Sequence, residues 1–352
     1  TNPGKESLCR LILTGVMANA WYLQLLRVKN ILLNRRIRDK RQITMKSKLS
    51  RRKFLSSTVV SAAAFTIVPR HVMSGNGYVT PNDKITLGFI GCGTMGLQHL
   101  IARVNMPELQ VVAVCDPEKD STNYVDFSRD GLRQRIAKAL NKPEWRKGQG
   151  IPGGREVGRS IVETRYANER TSGQFKGCVS YSDFREMLEK EKDIDAVEIM
   201  TPDHLHAAIA IAAMKRGKHV SMHKPLGNRL KEVRLVIETA RKTNVGTYFM
   251  AASNGKEVRA ILPWIQQGAI GSLREIHNWS NRPVWPQYTT IPTDTPSVPD
   301  GFDWDLWLGP SLERPYHPHY THAVFRGWYE FGGGAIADMG HYSLWPVFRE
   351  FG

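Results

Sequence analysis

The stretch "KITLGFIGCGTMGLQHLIARV" constrains this chain more than any other. An apolar run reads as a buried strand, a glycine-rich turn follows it, and an apolar period near 3.6 then begins. Gly91-Cys92-Gly93-Thr94-Met95-Gly96 is G-x-G-x-x-G, and Asp116 closes a second apolar strand, "LQVVAVCD" (109–116), 20 residues after Gly96. Each part has a physical task. Gly91 makes a tight turn, Gly93 lets backbone N–H groups approach a pyrophosphate, and Gly96 lets the helix pack close to the sheet. The helix N-terminus, with Thr94 and Met95, offers partial positive charge to phosphates. Asp116 is placed to accept from an adenosine ribose and to repel a 2′-phosphate, which favours NAD over NADP. Strands then alternate with helices: "DAVEIMTP", "HVSMH" and "VGTYFMA" are separated by helical patterns, which predicts a parallel sheet with right-handed crossovers. A polar insertion, 117–177, interrupts the rhythm.

Charge looks at first like a nucleic-acid binder's: +16 over 352 residues. Residues 1–53 hold 14 Lys/Arg against two acids and so carry +12 of it. The remaining +4 forms no basic patch with interleaved aromatics, and no nucleic-acid partner is expected. From Met45, "KSKLSRRKFLSSTVVSAAAFTIVP" runs cationic, then Arg51-Arg52, then weakly apolar, the order of a twin-arginine export signal over 45–74. Export to the periplasm is the expectation, with an uncleaved signal as a possible anchor. Residues 1–44 read as an upstream extension; their apolar run, Leu11 to Leu26, is short for a stable membrane span. Four cysteines (Cys9, Cys92, Cys115, Cys178) show no paired spacing, so neither a disulfide scaffold nor a zinc site is expected.

Taken in order, "GFIGCGTMG", "VVAVCD", "TPDHLHAAIAIAAMKRGKHVSMHKPLG", "WDLWLGP" and "GGGAIADMGHY" resemble the Gfo/Idh/MocA family, the relatives of glucose–fructose oxidoreductase and inositol dehydrogenase. The resemblance covers about residues 83–352. It implies an α/β fold: an N-terminal Rossmann dinucleotide-binding domain (83–225, insertion 117–177) and a C-terminal α/β substrate domain (226–352). The second domain is expected to carry an open, mostly antiparallel sheet and to be truncated at its C-terminus, since family members run further. A nicotinamide cofactor between the domains, a carbohydrate substrate and a homo-oligomer are implied too.

The resemblance also nominates residues. The family's Glu-Lys-Pro becomes His223-Lys224-Pro225, which keeps the lysine that contacts the nicotinamide-side substrate hydroxyl and stabilises an alkoxide. Thr201, Pro202 and His206 match the cofactor-side loop. Asp338-Met339-Gly340-His341-Tyr342 matches the family's acid–base segment; on a helix, positions i, i+3 and i+4 share a face. Ordinary titration favours His341 as the base, and the family register favours Tyr342, with Asp338 orienting it. Arg282 and Trp285 are candidate substrate contacts. The histidines of "HPHYTH" (His317, His319, His322) lack a completing carboxylate or cysteine, and no metal is expected. The expected activity is NAD-dependent hydride transfer at a sugar, cyclitol or glycoside hydroxyl. The alternatives are an NAD-dependent glycosidase working by oxidation and elimination, and a non-catalytic nucleotide or sugar sensor.

Overall fold

The computed structural model describes residues 84–125, 130–170, 172–173, 175–250, 256–283 and 287–351. The expected upstream extension, export signal and Trp285 lie outside them. Its frame is a six-stranded sheet of order β3-β2-β1-β4-β5-β6 with every pairing parallel. The strands are β1 (Ile85–Ile90), β2 (Leu109–Cys115), β3 (Val179–Tyr181), β4 (Ala196–Ile199), β5 (His219–His223) and β6 (Thr247–Met250). Strand order reverses at β1/β4, so the carboxyl ends of those two strands border the crevice where such sheets bind ligands.

Helices α1 (Thr94–Arg103), α2 (Gly131–Ala139), α3 (Arg155–Ala167), α4 (Phe184–Lys190), α5 (Asp203–Lys215) and α6 (Leu230–Thr243) cover the sheet. Strands buried on both faces read as continuous apolar runs rather than alternation. Leu87, Phe89 and Ile90 of β1 accordingly lie at 2 % exposure or less. Ala207, Ile209, Ala210 and Ala213 of α5 pack on Val197 and Ile199 of β4 and Val220 and Met222 of β5. The insertion 117–177 contributes α2 and α3, and Tyr166 of α3 accepts the Val111 N–H of β2 at 2.9 Å.

The expected second, mostly antiparallel sheet is not there. Among the described residues the parallel sheet is the one sheet, and β6 carries it past residue 225. Beyond α7 (Lys256–Gln266), the strand-like "GSLREIHNWS" runs without ladder partners, with Ile276 and Trp279 exposed. The β-propensity of Ile and Trp stabilises a strand only where a neighbour pairs its N–H and C=O groups. What organises the region instead is aromatic packing. Trp304, Trp307 and Leu308 of α8 (Trp304–Leu308) cluster with Tyr320, Phe325 and Phe331. A π-helical turn, Ile336–Gly340, then leads into α9 (His341–Phe351).

Candidate active site

The glycine-rich turn is built as its residue types demand. Gly91 has φ +98°, and a Cβ there would lie 2.6 Å from the Met200 carbonyl. A Cβ on Gly96 would stand 1.9 Å from the Gly91 carbonyl oxygen, so α1 can approach the turn only with glycine here. Gly93 caps α1, whose first intrahelical bond is Leu97 N–H to the Gly93 carbonyl at 2.8 Å. The N–H groups of Thr94, Met95 and Gly96 precede that bond and point toward whatever sits at the helix start. This arrangement fits a dinucleotide pyrophosphate. The Thr94 hydroxyl donates to the Val125 carbonyl at 2.7 Å, and Met95 is partly exposed.

Asp116 is buried, and its two oxygens accept the N–H groups of Cys92 (2.6 Å) and Glu118 (2.8 Å). It therefore braces the turn as well as ending β2, and each oxygen keeps a second lone pair for a ribose hydroxyl. Burial pushes its pKa up to about 6, against those two N–H donors and Arg155. The Arg155 guanidinium donates to the Asp116 and Pro117 carbonyls at 3.1 and 3.2 Å. The insertion closes over this turn: Gly154 N–H donates to the Cys92 carbonyl at 2.9 Å. The Tyr124 ring stands 3.0 Å from where a Gly93 Cβ would be.

The second cluster joins β5 to the C-terminal half. Lys224, 3 % exposed, donates to both the carboxylate Oδ1 (2.5 Å) and the main-chain carbonyl of Asp338. Arg326 and Arg282 flank the same carboxylate, Nε to oxygen 3.5 and 3.9 Å. Burial pushes the Lys224 ammonium toward the neutral form, and the Asp338 carboxylate holds it charged. The ammonium also lies 5.1 Å from the centroid of the Tyr342 ring. Burial, then Asp338, pushes the Tyr342 phenol up, while Arg326 and Arg282 pull it down. His341 packs edge-on to Tyr342 (5.6 Å) and Phe249 (5.8 Å) and near-parallel to Trp345 (6.2 Å). His223 is held neutral, pushed down to about 2 by burial and then by Lys224. It faces His99 at 6.0 Å, and His99 in turn contacts the buried Glu198, which also binds Arg103 at 2.7 Å.

Two models of one family match the chain: the oxidoreductase family's NAD-binding Rossmann fold over residues 154–251, and its C-terminal alpha/beta domain over 258–350. The chain belongs to the Gfo/Idh/MocA oxidoreductase family. It is 35 % identical over 212 residues to a levoglucosan dehydrogenase of Pseudarthrobacter phenanthrenivorans, covering 58 % of this chain and 44 % of that one. It is 26 % identical over 241 residues to a glycosyl hydrolase family 109 protein of Shewanella pealeana, covering 64 % and 44 %. Among solved structures, scyllo-inositol dehydrogenase from Lactobacillus casei with NAD(H) and scyllo-inositol matches at 18 % identity and TM-score 0.32, covering 53 % and 42 %. The chain thus spans less than half the length of these relatives.

Within this Gfo/Idh/MocA chain the structure brings together Lys224, Asp338, Tyr342 and Arg282, with Thr201, Pro202 and His206 beside them at the start of α5. It sets Gly91, Gly93, Thr94, Gly96 and Asp116 around the turn, and His341 stands beside Tyr342, its ring edge-on at 5.6 Å and its Nε2 buried. Two residues of the cluster escaped the sequence reading. Arg326 has no motif around it, and only the fold carries it to Asp338. Asp203 sat inside the quoted "TPDHLH" and offered a signal that went unused, an acid opening a helix between two motif residues. No group of three His, Cys, Asp or Glu able to hold a metal occurs among the described residues. His317 accepts the His319 N–H at 3.1 Å, as a local cap does. No described helix is long and apolar enough to cross a membrane.

Proposed function

We propose that this chain serves NAD-dependent oxidation of a secondary hydroxyl on a sugar or cyclitol. One observation carries the reading: a buried ammonium, Lys224, is held by a carboxylate from the other half of the molecule, with a phenol against it. Such a cation stabilises a substrate oxygen as it gains negative charge, and it needs no reorganisation to do so. Bound NAD supplies the acceptor for the hydride. Gly91, Gly93 and Gly96 would hold its pyrophosphate and Asp116 its ribose. Tyr342, once it has given its own proton to solvent, takes the hydroxyl proton as the phenolate. Burial and then Asp338 disfavour that form, and Arg326 and Arg282 favour it. Lys224 stabilises the substrate oxygen left behind, and Asp338 fixes the direction of the ammonium. The three cations around Asp338 also suit a hydroxyl-rich ligand, which can accept from Arg282 as it donates to the carboxylate.

The test is NADH absorbance with a panel of sugars, cyclitols and anhydrosugars, alongside the nucleotide content of the purified protein. Lys224→Ala should retain NAD and lose roughly 100-fold or more in turnover. Full turnover in that variant would remove Lys224 from the chemistry. A second reading draws on the glycosyl hydrolase family 109 relatives. Oxidation two carbons from the anomeric carbon, removal of the proton between them with loss of the aglycone, addition of water and return of the hydride would release a sugar from an aryl glycoside with no net NADH. Twin-arginine export to the periplasm with NAD already bound, and assembly into a homo-oligomer, belong to the same proposal. Detecting the protein in a periplasmic fraction, and its mass in solution, test these two.

A further inference from the structure

His206 is a buried ring with too many acceptors. It is 1 % exposed, and both nitrogens face main-chain carbonyls: Nδ1 to Pro225 at 2.5 Å and Nε2 to Thr201 at 2.8 Å. A neutral imidazole carries one N–H, so one of these contacts would set a nitrogen lone pair against a carbonyl oxygen. With both nitrogens protonated, both contacts are charge-assisted hydrogen bonds. A buried cation needs an anion close by. Asp203 is three residues earlier on the same face of α5, 1 % exposed, and its Oδ2 has no hydrogen-bond partner among the described residues.

We propose that His206 is doubly protonated, with Asp203 one turn earlier on α5 as its nearby but non-contacting counter-charge, and that its two carbonyl bonds clamp Thr201 to Pro225 and so position Lys224. Opposing charges do not undo it. Burial favours the neutral ring, and Arg326 disfavours a second proton, as do the neighbouring His204 and His223 if they charge. Burial is the largest influence and pulls the ring down overall; Asp203 and the two carbonyls pull it up, and the geometry of two short carbonyl contacts is what argues for the second proton. Burial raises the Asp203 carboxyl overall, while Arg326, His206 and Lys224 favour its charged form, so this one group links the clamp to the Lys224–Asp338 pair. Since the carbonyl of Pro225 follows Lys224 directly in the chain, fixing it limits where the ammonium can point. The role in catalysis rests on the oxidoreductase reading; the protonation state does not.

The experiment is nitrogen NMR of the histidine rings in the full chain without cofactor or substrate. The His206 signals are assigned through their contacts to residues 201 and 225. Both ring N–H groups should persist at about pH 8, above the ordinary histidine midpoint near 6.5. In Asp203→Asn the midpoint should fall at least tenfold in proton affinity, and Asp203→Glu should restore it. A wild-type ring carrying one proton throughout, or two protons that survive Asp203→Asn unchanged, would overturn the proposal. If it stands and no panel compound is turned over, the oxidoreductase reading fails alone.

Discussion

The sheet and the aromatic cluster within residues 302–331 each have a buried core, yet they are held by different means. In the sheet, each strand's backbone is paired by its neighbours, and aliphatic side chains fill both faces. In the later region α8 has five residues, and the packing is aromatic: Trp304 stacks on Trp307 at 4.9 Å, and Phe331 meets Trp307 edge-on at 4.9 Å. Two indole N–H groups reach carbonyls about ten residues away, Trp304 to Arg314 and Trp328 to His319, both at 2.7 Å. Regular backbone holds one half; large amphipathic side chains hold the other. The largest expected effect follows. Phe331→Ala, at 0 % exposure in that cluster, should cost about 3–5 kcal/mol. Tryptophan fluorescence should report the loss at lower urea than far-UV circular dichroism does. Coincident transitions would show instead that the sheet and the aromatic cluster unfold as one unit.

The same contrast explains what could be read from sequence. Ile85–Ile90 and Leu109–Cys115 are legible because a doubly covered strand is a continuous apolar run, and the turn is legible because Gly91 and Gly96 answer to backbone sterics. Strand β3 was missed: three residues, Val179–Tyr181, with Val179 exposed, leave no pattern. The expected antiparallel sheet came from the family resemblance, which does not say whether this stretch of chain finds ladder partners. At the site, Lys224 was legible from the resemblance. Arg326 was not, because a lone arginine carries no periodicity and its meeting with Asp338 exists only in three dimensions.

The glycine turn offers the sharpest test on the sheet side. Gly96→Ala places a methyl against a carbonyl that the β1–α1 turn cannot move, and it should cost roughly 3 kcal/mol, the upper end for overpacking. Calorimetric titration should find NAD affinity lost. Unchanged affinity would mean that α1 can slide off the turn, and the dinucleotide geometry would need revision. Charge beneath that turn gives a smaller, pH-dependent effect. Burial holds Asp116 up to about 6 and Glu118 up to about 7, each above its ordinary value. Between about pH 4 and pH 7 the folded chain keeps protons that the unfolded chain has released, so stability falls as pH rises and levels off above that window. Asp116 alone accounts for roughly 2–3 kcal/mol of that fall. Urea midpoints at the two ends of the window should differ less in Asp116→Asn than in the wild type. An equal difference would mean that its carboxyl titrates normally in the folded chain.

The smallest effect separates aromatic residues that look alike in sequence. Trp279 and Trp307 both sit in stretches rich in tryptophan, but Trp279 is 83 % exposed and Trp307 6 %. An exposed side chain that covers nothing contributes little, so Trp279→Ser should shift stability by no more than about 0.5 kcal/mol. Trp307 lies in the cluster with His204, whose Nε2 meets the Trp307 carbonyl at 2.8 Å and whose ring lies 5.0 Å from the indole. That contact bridges α5 of the sheet half and α8 of the aromatic half, so a loss at Trp307 should be felt on both sides. A large loss on replacing Trp279 would mean that the unpaired segment is covered in solution. The contrast would then lie between two kinds of buried surface rather than between a paired sheet and an aromatic cluster with a loose strand beside it.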